Sequence, residues 1–178
     1  MKNNWITKII GIVVLGLFTV SNTHASVWSV SESKNEFEGT TYYYIKSKEA
    51  PPNKKLNWPY SDALSTLVVG CDKYQRYWIY FHFDSVNLKW DDFTIDGDPR
   101  TTASVKYGEE IEGINIYFET GSNFVFVSTN YEKEMFKILS ENNSIMVQFD
   151  HYGDGKRHYK FNTSEFSKIF NQTCKYYK

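Results

Sequence analysis

The sequence predicts a mainly β protein: an antiparallel β-sandwich or curved sheet with two or three short helices, the last one joined to the sheet by a disulfide. Three observations carry this prediction. Aromatic residues make up 18% of the chain, and β-strands favour aromatic and β-branched side chains. Short apolar runs recur between turn residues, while two later segments have apolar residues at helical spacing. The chain has two cysteines, Cys71 and Cys174.

Eight segments are predicted to be strands. In the clearest, Gln75–Asp84, large apolar side chains alternate on both faces, which predicts a central strand that is covered on both sides. One face of this strand holds Tyr77, Ile79, Phe81 and Phe83, and the other holds Trp78, Tyr80 and His82. The other predicted strands are Thr41–Lys46, Ser65–Gly70, Thr101–Tyr107, Ile114–Glu119, Asn123–Ser128, Ser144–Asp150 and Lys156–Asn162.

Two helices are predicted from capping-box patterns, in which a polar cap residue is followed three positions later by Glu. The first begins at Thr129-Asn130-Tyr131-Glu132, and its apolar positions are Tyr131, Met135, Ile138 and Leu139. The second has Asn162 as its cap and Glu165 at the third helical position. It carries Phe166, Phe170 and Cys174 on one face. A third, shorter helix is predicted around Ser61–Leu64.

The hairpin around Gly153-Asp154-Gly155 has two candidate registers. A two-residue turn would place His151 opposite His158 as a candidate metal pair. It would also put apolar residues of one strand on the same face as polar residues of the other. A three-residue loop keeps the apolar residues together, because a slip of one residue turns each side chain to the wrong face. The three-residue loop is therefore predicted, and the metal pair is not. The resulting cross-strand pairs are Val147 with Phe161, Phe149 with Tyr159, Asp150 with His158 and His151 with Arg157.

Residues 1–25 are predicted to be a secretory signal peptide. Lys2 and Lys8 form a basic start, Ile9–Val20 is an apolar run, and Ala25 is a small residue suited to cleavage. The apolar run is shorter than the roughly 20 residues of a membrane-spanning helix, although an uncleaved anchor is the alternative. We expect a periplasmic or secreted β-rich domain over residues 26–178, with no integral membrane segment after cleavage.

An exported chain with two cysteines is expected to form a disulfide, because the compartment is oxidising. Metal binding and a reactive thiol are the alternatives. The chain has no C-x-x-C motif and no histidine at ligand spacing from either cysteine. If Cys71 ends the strand Ser65–Gly70, a bond to Cys174 joins the last helix to the sheet.

Composition and motifs exclude several classes of function. The formal net charge is −1 and no lysine- or arginine-rich cluster is present, which argues against nucleic-acid binding. No G-x-S-x-G, H-E-x-x-H or phosphate-binding loop occurs. We therefore predict that the protein is not an enzyme and uses no cofactor. A hydrolase of cell-wall sugars that acts through an unrecognised carboxylate pair is the alternative.

The predicted partner-binding residues lie in polar segments between the strands. Trp58 and Trp90 are in loop-like contexts, where an exposed indole ring could fill a partner's groove. Four aspartates follow Trp90 around a turn that contains glycine, with spacing that does not match an EF-hand calcium loop. No metal site is predicted there. These aspartates are Asp91, Asp92, Asp96 and Asp98.

Several short motifs together resemble the VasI-like periplasmic accessory family that is associated with type VI secretion. They are Trp28-Ser29-Val30, Leu67-Val68-Val69-Gly70-Cys71, Tyr77–Phe83, Asp98-Pro99-Arg100, Phe136-Lys137-Ile138-Leu139, Ile145-Met146-Val147, and Phe161 and Phe166 before Cys174. The chain departs from the family pattern at Ser33–Phe37 and at Tyr107, which stands where a tryptophan is usual. The resemblance implies a secreted β-rich binding module with a Cys71–Cys174 bridge. It assigns no catalytic residue to this chain.

The function expected from these observations is binding to an envelope or secreted protein, with a role in type VI secretion implied by the resemblance. The alternative is an inhibitor or immunity protein against a peptidoglycan-degrading enzyme such as lysozyme, in which an acidic Asp91–Asp98 loop meets a basic cleft. The sequence leaves the oligomeric state open.

Overall fold

The computed structural model describes residues 27–74, 76–85, 87–118 and 121–174. The predicted signal peptide, residues 1–25, lies outside these residues, as do Gln75 and Glu119 at the ends of two predicted strands. The strands are β1 (Trp28–Asn35), β2 (Thr40–Ser47), β3 (Ser65–Asp72), β4 (Tyr77–Phe83), β5 (Asp92–Phe93), β6 (Pro99–Tyr107), β7 (Glu110–Tyr117), β8 (Phe124–Val127), β9 (Ser144–His151) and β10 (Gly155–Asn162). The helices are α1 (Thr129–Glu141) and α2 (Phe166–Thr173).

All the strands belong to one antiparallel sheet, with the order β1-β2-β3-β4-β8-β7-β6-β9-β10 and with β5 paired to β6. The sheet curves until its inner face closes on itself. Phe81 of β4 contacts Phe149 of β9 and Phe161 of β10, at ring-centroid distances of 5.0 and 5.8 Å. These strands are not neighbours in the sheet, so only curvature brings their side chains together. The mainly β prediction with a curved sheet is confirmed.

The core lies inside this curve and is built from alternate residues of the strands. On β4, Ile79, Phe81 and Phe83 are fully buried, as a half-buried strand with a period of two requires. The opposite face of β4 differs from the prediction. Tyr80 is buried, but Trp78 and His82 are only partly buried. Trp78 meets Tyr42 and Tyr44 of β2, the strand beyond β3. On this outer face the predicted burial is therefore right for Tyr80 and wrong for Trp78 and His82.

The helices close one end of the core. Met135, Ile138 and Leu139 of α1 and Phe166 and Phe170 of α2 are buried, which confirms both predicted apolar faces. The disulfide between Cys71 of β3 and Cys174, directly after α2, has a Cα–Cα distance of 6.2 Å and confirms the predicted link between helix and sheet. Within the described ranges, neither helix has the length and apolar character needed to cross a membrane.

The predicted helix caps are wrong in both cases. α1 has Ser128 as its N-cap with no capping side-chain bond, and Glu132 instead accepts a hydrogen bond from the backbone of Ile79. Asn162 accepts bonds from Ser164 in a local turn. α2 begins only after Glu165, whose φ is 64°. Polar residues that favour caps also favour such turns, so the pattern alone does not locate the first helical residue.

The predicted third helix is also wrong. The segment before β3 forms two successive turns, in which Tyr60 N donates to Asn57 O and Ala63 N donates to Tyr60 O, at 2.8 and 3.0 Å. Leu64 N is already bonded to the Asp84 carboxylate. β3 begins at Ser65, which leaves too few residues for a helix.

The β9–β10 hairpin has the predicted loop length but lies one residue earlier. Its loop is residues 152–154, and His151 pairs with Gly155. His158 faces Gln148 in place of the predicted Asp150, and the predicted pairing of His151 with Arg157 is wrong. The predicted pairs are Val147 with Phe161 and Phe149 with Tyr159. In the structure, Val147 pairs with Tyr159 and Ile145 pairs with Phe161. A shift of two positions keeps each side chain on its face, so the apolar pattern cannot distinguish the two registers.

Candidate functional site

Trp58 and Trp90 lie on different loops that the structure joins at one end of the sheet. The β9–β10 turn connects them. Asn57 N donates to Asp154 Oδ1 at 3.0 Å on one side, and Tyr152 N donates to Asn87 O at 2.7 Å on the other. We call the exposed and half-buried side chains of these loops the loop-end surface. Its apolar members are Trp58, Trp90, Phe93, Ile95 and Tyr152, and its acidic members are Asp91, Asp92, Asp96 and Asp98.

Trp58 is presented on a loop with a buried anchor. Its side chain is 88% exposed, whereas the Asp154 carboxylate that holds the neighbouring Asn57 is 3% exposed and pairs with Arg157 at 3.3 Å. Burial of a charged pair requires that both partners stay together, since either one alone would be a desolvated charge. The ion pair therefore fixes the loop while the indole ring remains in solvent.

Trp90 forms one wall of a cavity of about 320 Å³. Its ring meets Phe118 edge to face at 6.4 Å, and Trp90 and Phe93 are still 47% and 55% exposed. The remaining cavity wall includes Leu88 and Pro99. This cavity is open, mostly apolar and large enough to receive an anchoring side chain of a partner.

The acidic residues after Trp90 are not equivalent. Asp92 pairs with Arg100, and a hydrogen bond from Phe93 N, with that pairing, lowers the pKa of the Asp92 carboxyl. Asp91 accepts a hydrogen bond from Thr101 Oγ1 at 2.8 Å. Asp96 is exposed at the tip of the turn, and Asp98 is half-buried. In the part of the chain that the structure describes, no group of three or more acidic, His or Cys side chains is placed to hold a metal ion.

A second feature, which the sequence does not predict, lies on the outer face of the sheet. Rings from four strands make contact there, most of them exposed or half-buried and Tyr80 buried, and we call them the aromatic strip. The alternation of large apolar side chains on β4 is the sequence signal for this strip, but the same pattern also predicts a covered face. The strip consists of Tyr42, Tyr44, Trp78, Tyr80, Tyr117, Phe124 and Phe126.

A cavity of about 670 Å³ lies beside Trp78 at one end of the aromatic strip. Its wall combines Trp78 with an ion pair between Asp72 and Arg76 and with Glu132 of α1. Burial would raise the pKa of Asp72, but hydrogen bonds from Arg76 and Tyr74 outweigh it and lower that pKa. Burial raises the pKa of Glu132, and the bond from Ile79 opposes this effect.

Comparison of the chain with protein-family models, curated proteins and solved structures gave no match.

Proposed function

We propose that this is an exported, non-enzymatic binding protein that contacts a protein partner through its loop-end surface. The Cys71–Cys174 disulfide supports export, because such bonds persist in oxidising compartments. The observation that carries the proposal is the exposure of Trp58 and Trp90 on loops that hydrogen bonds hold together.

The chemistry of this surface is that of a protein interface. Tryptophan and tyrosine are enriched among the residues that contribute most to binding energy. Loops fixed by a rigid sheet often carry recognition residues. Three further apolar side chains are at least half exposed at this end: Phe93, Ile95 and Tyr152. Together they form an apolar surface beside an acidic turn, which favours a partner with an apolar groove and a basic rim.

The resemblance to VasI-like proteins leads us to propose a component of a secretion apparatus as the first partner to test. A peptidoglycan-degrading enzyme is the second candidate, because the exposed Asp96 and the half-buried Asp98 lie in the turn that follows Trp90 and could face a basic cleft.

Capture from periplasmic and envelope extract would test the proposal, with the oxidised protein as bait and mass spectrometry as readout. We expect the double variant Trp58→Ala and Trp90→Ala to retain the partner at least tenfold less well, since each aromatic anchor contributes roughly 2 kcal/mol or more. Phe37→Ala is the matched control, because Phe37 is a fully exposed ring (100%) outside the loop-end surface.

Equal capture by the double variant and by the control would place binding elsewhere and overturn the proposal. A captured lytic enzyme would then be assayed with excess protein. Loss of lytic rate would support the inhibitor function, and an unchanged rate would exclude it for that enzyme.

A further inference from the structure

We propose a second binding site, for a neutral saccharide chain, in the cavity between Trp78 of β4 and the first turn of α1. This site is independent of the proposed protein-binding surface, because the two sites use different residues.

Trp78 presents a flat ring because of a glycine on the neighbouring strand. Gly70 pairs with Trp78 across the sheet, and a Cβ atom at Gly70 would lie 2.2–2.5 Å from three atoms of the indole ring. The ring therefore lies down over the backbone of β3. One face covers Gly70, and the other is turned away from the sheet.

Tyrosines of β2 hold this ring in place. Tyr42 and Tyr44 meet Trp78 nearly edge-on, at ring-centroid distances of 6.0 and 6.1 Å and interplanar angles of 70° and 75°. Edge-to-face contacts of this kind stabilise aromatic pairs. The result is a platform whose orientation is set before any ligand binds.

A fixed cation stands at the edge of the platform. The Asp72 side chain is fully buried, at 0% exposure, and it receives Arg76 Nε at 2.8 Å and Arg76 Nη2 at 2.7 Å. Backbone N–H groups of Tyr74 and Arg76 also donate to Asp72. The Arg76 side chain is 67% exposed. Its position is thus fixed by Asp72, while its guanidinium group has more N–H donors than that pair uses.

The opposite wall comes from α1 and brings the formal charges into balance. Glu132 and Lys133 line the cavity together with Asp72 and Arg76, so each wall carries one acidic and one basic group. A cavity with no net charge does not select an anion or a cation. It offers both donors and acceptors, which suits hydroxyl groups because each hydroxyl both donates and accepts.

These features together specify a saccharide. The C–H face of a sugar ring carries a weak positive charge and packs on the negative face of an indole ring, while its hydroxyl groups bond to the charged rim. The volume of about 670 Å³ is within the usual range of small-ligand sites. The cavity continues into the rings of the aromatic strip, which gives further sugar units a surface to lie on.

The test is an NMR titration of the ¹⁵N-labelled oxidised protein, with the indole N–H signals assigned by single Trp→Phe variants. The probes are three neutral hexasaccharides: β-1,4-linked glucose, β-1,4-linked N-acetylglucosamine and α-1,4-linked glucose. We expect at least one to shift the Trp78 signal with a Kd of roughly 1 mM or below. The Trp58 signal should stay in place, and Trp78→Ala should abolish binding.

Lys133→Ala is the second variant, because Lys133 is exposed on α1 and its removal leaves the fold intact. Loss of one hydrogen bond should weaken binding about threefold to tenfold. Lys137→Ala is its matched control. Lys137 lies on the same helix and its removal makes the same change of charge, but it is not part of the cavity wall. The proposal is overturned if no hexasaccharide moves the Trp78 signal, if the shifts occur at Trp58 or Trp90, or if Lys133→Ala and Lys137→Ala bind equally.

Discussion

His151 is a buried histidine whose two ring nitrogens are both engaged. It is 1% exposed. Asn87 Oδ1 lies 2.5 Å from its Nδ1, and the Tyr159 hydroxyl lies 3.1 Å from its Nε2. An amide oxygen only accepts, so Nδ1 donates to Asn87 and Nε2 accepts from Tyr159. This arrangement suits the neutral ring, and burial lowers the pKa of His151 to about 4.

This pKa predicts a loss of stability in mild acid. An unfolded histidine has a pKa near 6.5, so below that pH the unfolded chain binds a proton that the folded chain resists. The stabilisation is complete above about pH 6.5 and falls as the pH drops toward 4. We expect His151 to lower the free energy of unfolding by about 2 kcal/mol between pH 7 and pH 5, as measured by urea denaturation.

His151→Phe is the control for this pH dependence. It should be less stable at pH 7 because Asn87 and Tyr159 lose a partner, but its stability should change less between pH 6.5 and pH 4.5. Equal slopes for the two proteins would rule out His151 as the cause.

The Gly70 position tests the fit between a glycine and the ring above it. Gly70→Ala forces the Trp78 ring to move, since no Cβ fits within 2.2 Å of it. We expect a loss of about 1–3 kcal/mol in the free energy of unfolding. Gly113→Ala is the matched control, because its Cβ would meet only a Thr102 methyl group at an ordinary 3.6 Å. If both variants melt at the same temperature, the indole ring does not lie on Gly70 in solution.

At the scale of elements, α2 is a short helix that depends on what holds it to the sheet. It has no side-chain cap. Instead, Trp28 of β1 donates from Nε1 to Ser164 O at 3.0 Å, just before the helix, and Phe136 of α1 packs on Phe170 at 4.7 Å. The disulfide adds a covalent link after the last turn. Tertiary contacts, more than helix propensity, therefore stabilise α2.

The disulfide closes a long stretch of chain and should contribute strongly to stability. Cys71 and Cys174 are 103 positions apart, for which the chain-entropy model gives about 4–5 kcal/mol. We expect the double variant Cys71→Ser and Cys174→Ser to melt roughly 8–20 °C below the oxidised protein. Calorimetry checks this, with the reduced wild-type protein as control. An unchanged melting temperature would show that the thiols are not bridged in solution.

The local sequence pattern is sufficient to predict some elements and not others. The buried positions of β4, α1 and α2 follow from periodicity, because residues that face the core recur at the period of the strand or the helix. β1 was missed because its burial pattern is mostly exposed, as is common for an edge strand. β5 was missed because it has only two residues.

At the scale of the whole molecule, the sequence could name candidate side chains but could not place them together. Trp58 and Trp90 were predicted as separate loop residues, and only the β9–β10 turn brings their loops to one end. The saccharide cavity brings Asp72 at the end of β3 together with Glu132 of α1, a proximity that no local spacing encodes. β4 connects the two regions: it begins in the cavity wall at Tyr77 and ends at Phe83, just before the segment that carries Trp90.

The loop that carries Trp58 has a further consequence at the last strand of the sheet. Asn53 gives its backbone N–H to His158 O at 2.8 Å and accepts from His158 N through its side chain at 2.9 Å. The backbone N–H and C=O groups of His158, at the middle of β10, are thus both hydrogen-bonded on the side away from β9. An unprotected edge strand recruits other chains and promotes aggregation. Asn53 therefore covers the middle of this edge strand, which disfavours pairing of β10 with a strand of another molecule.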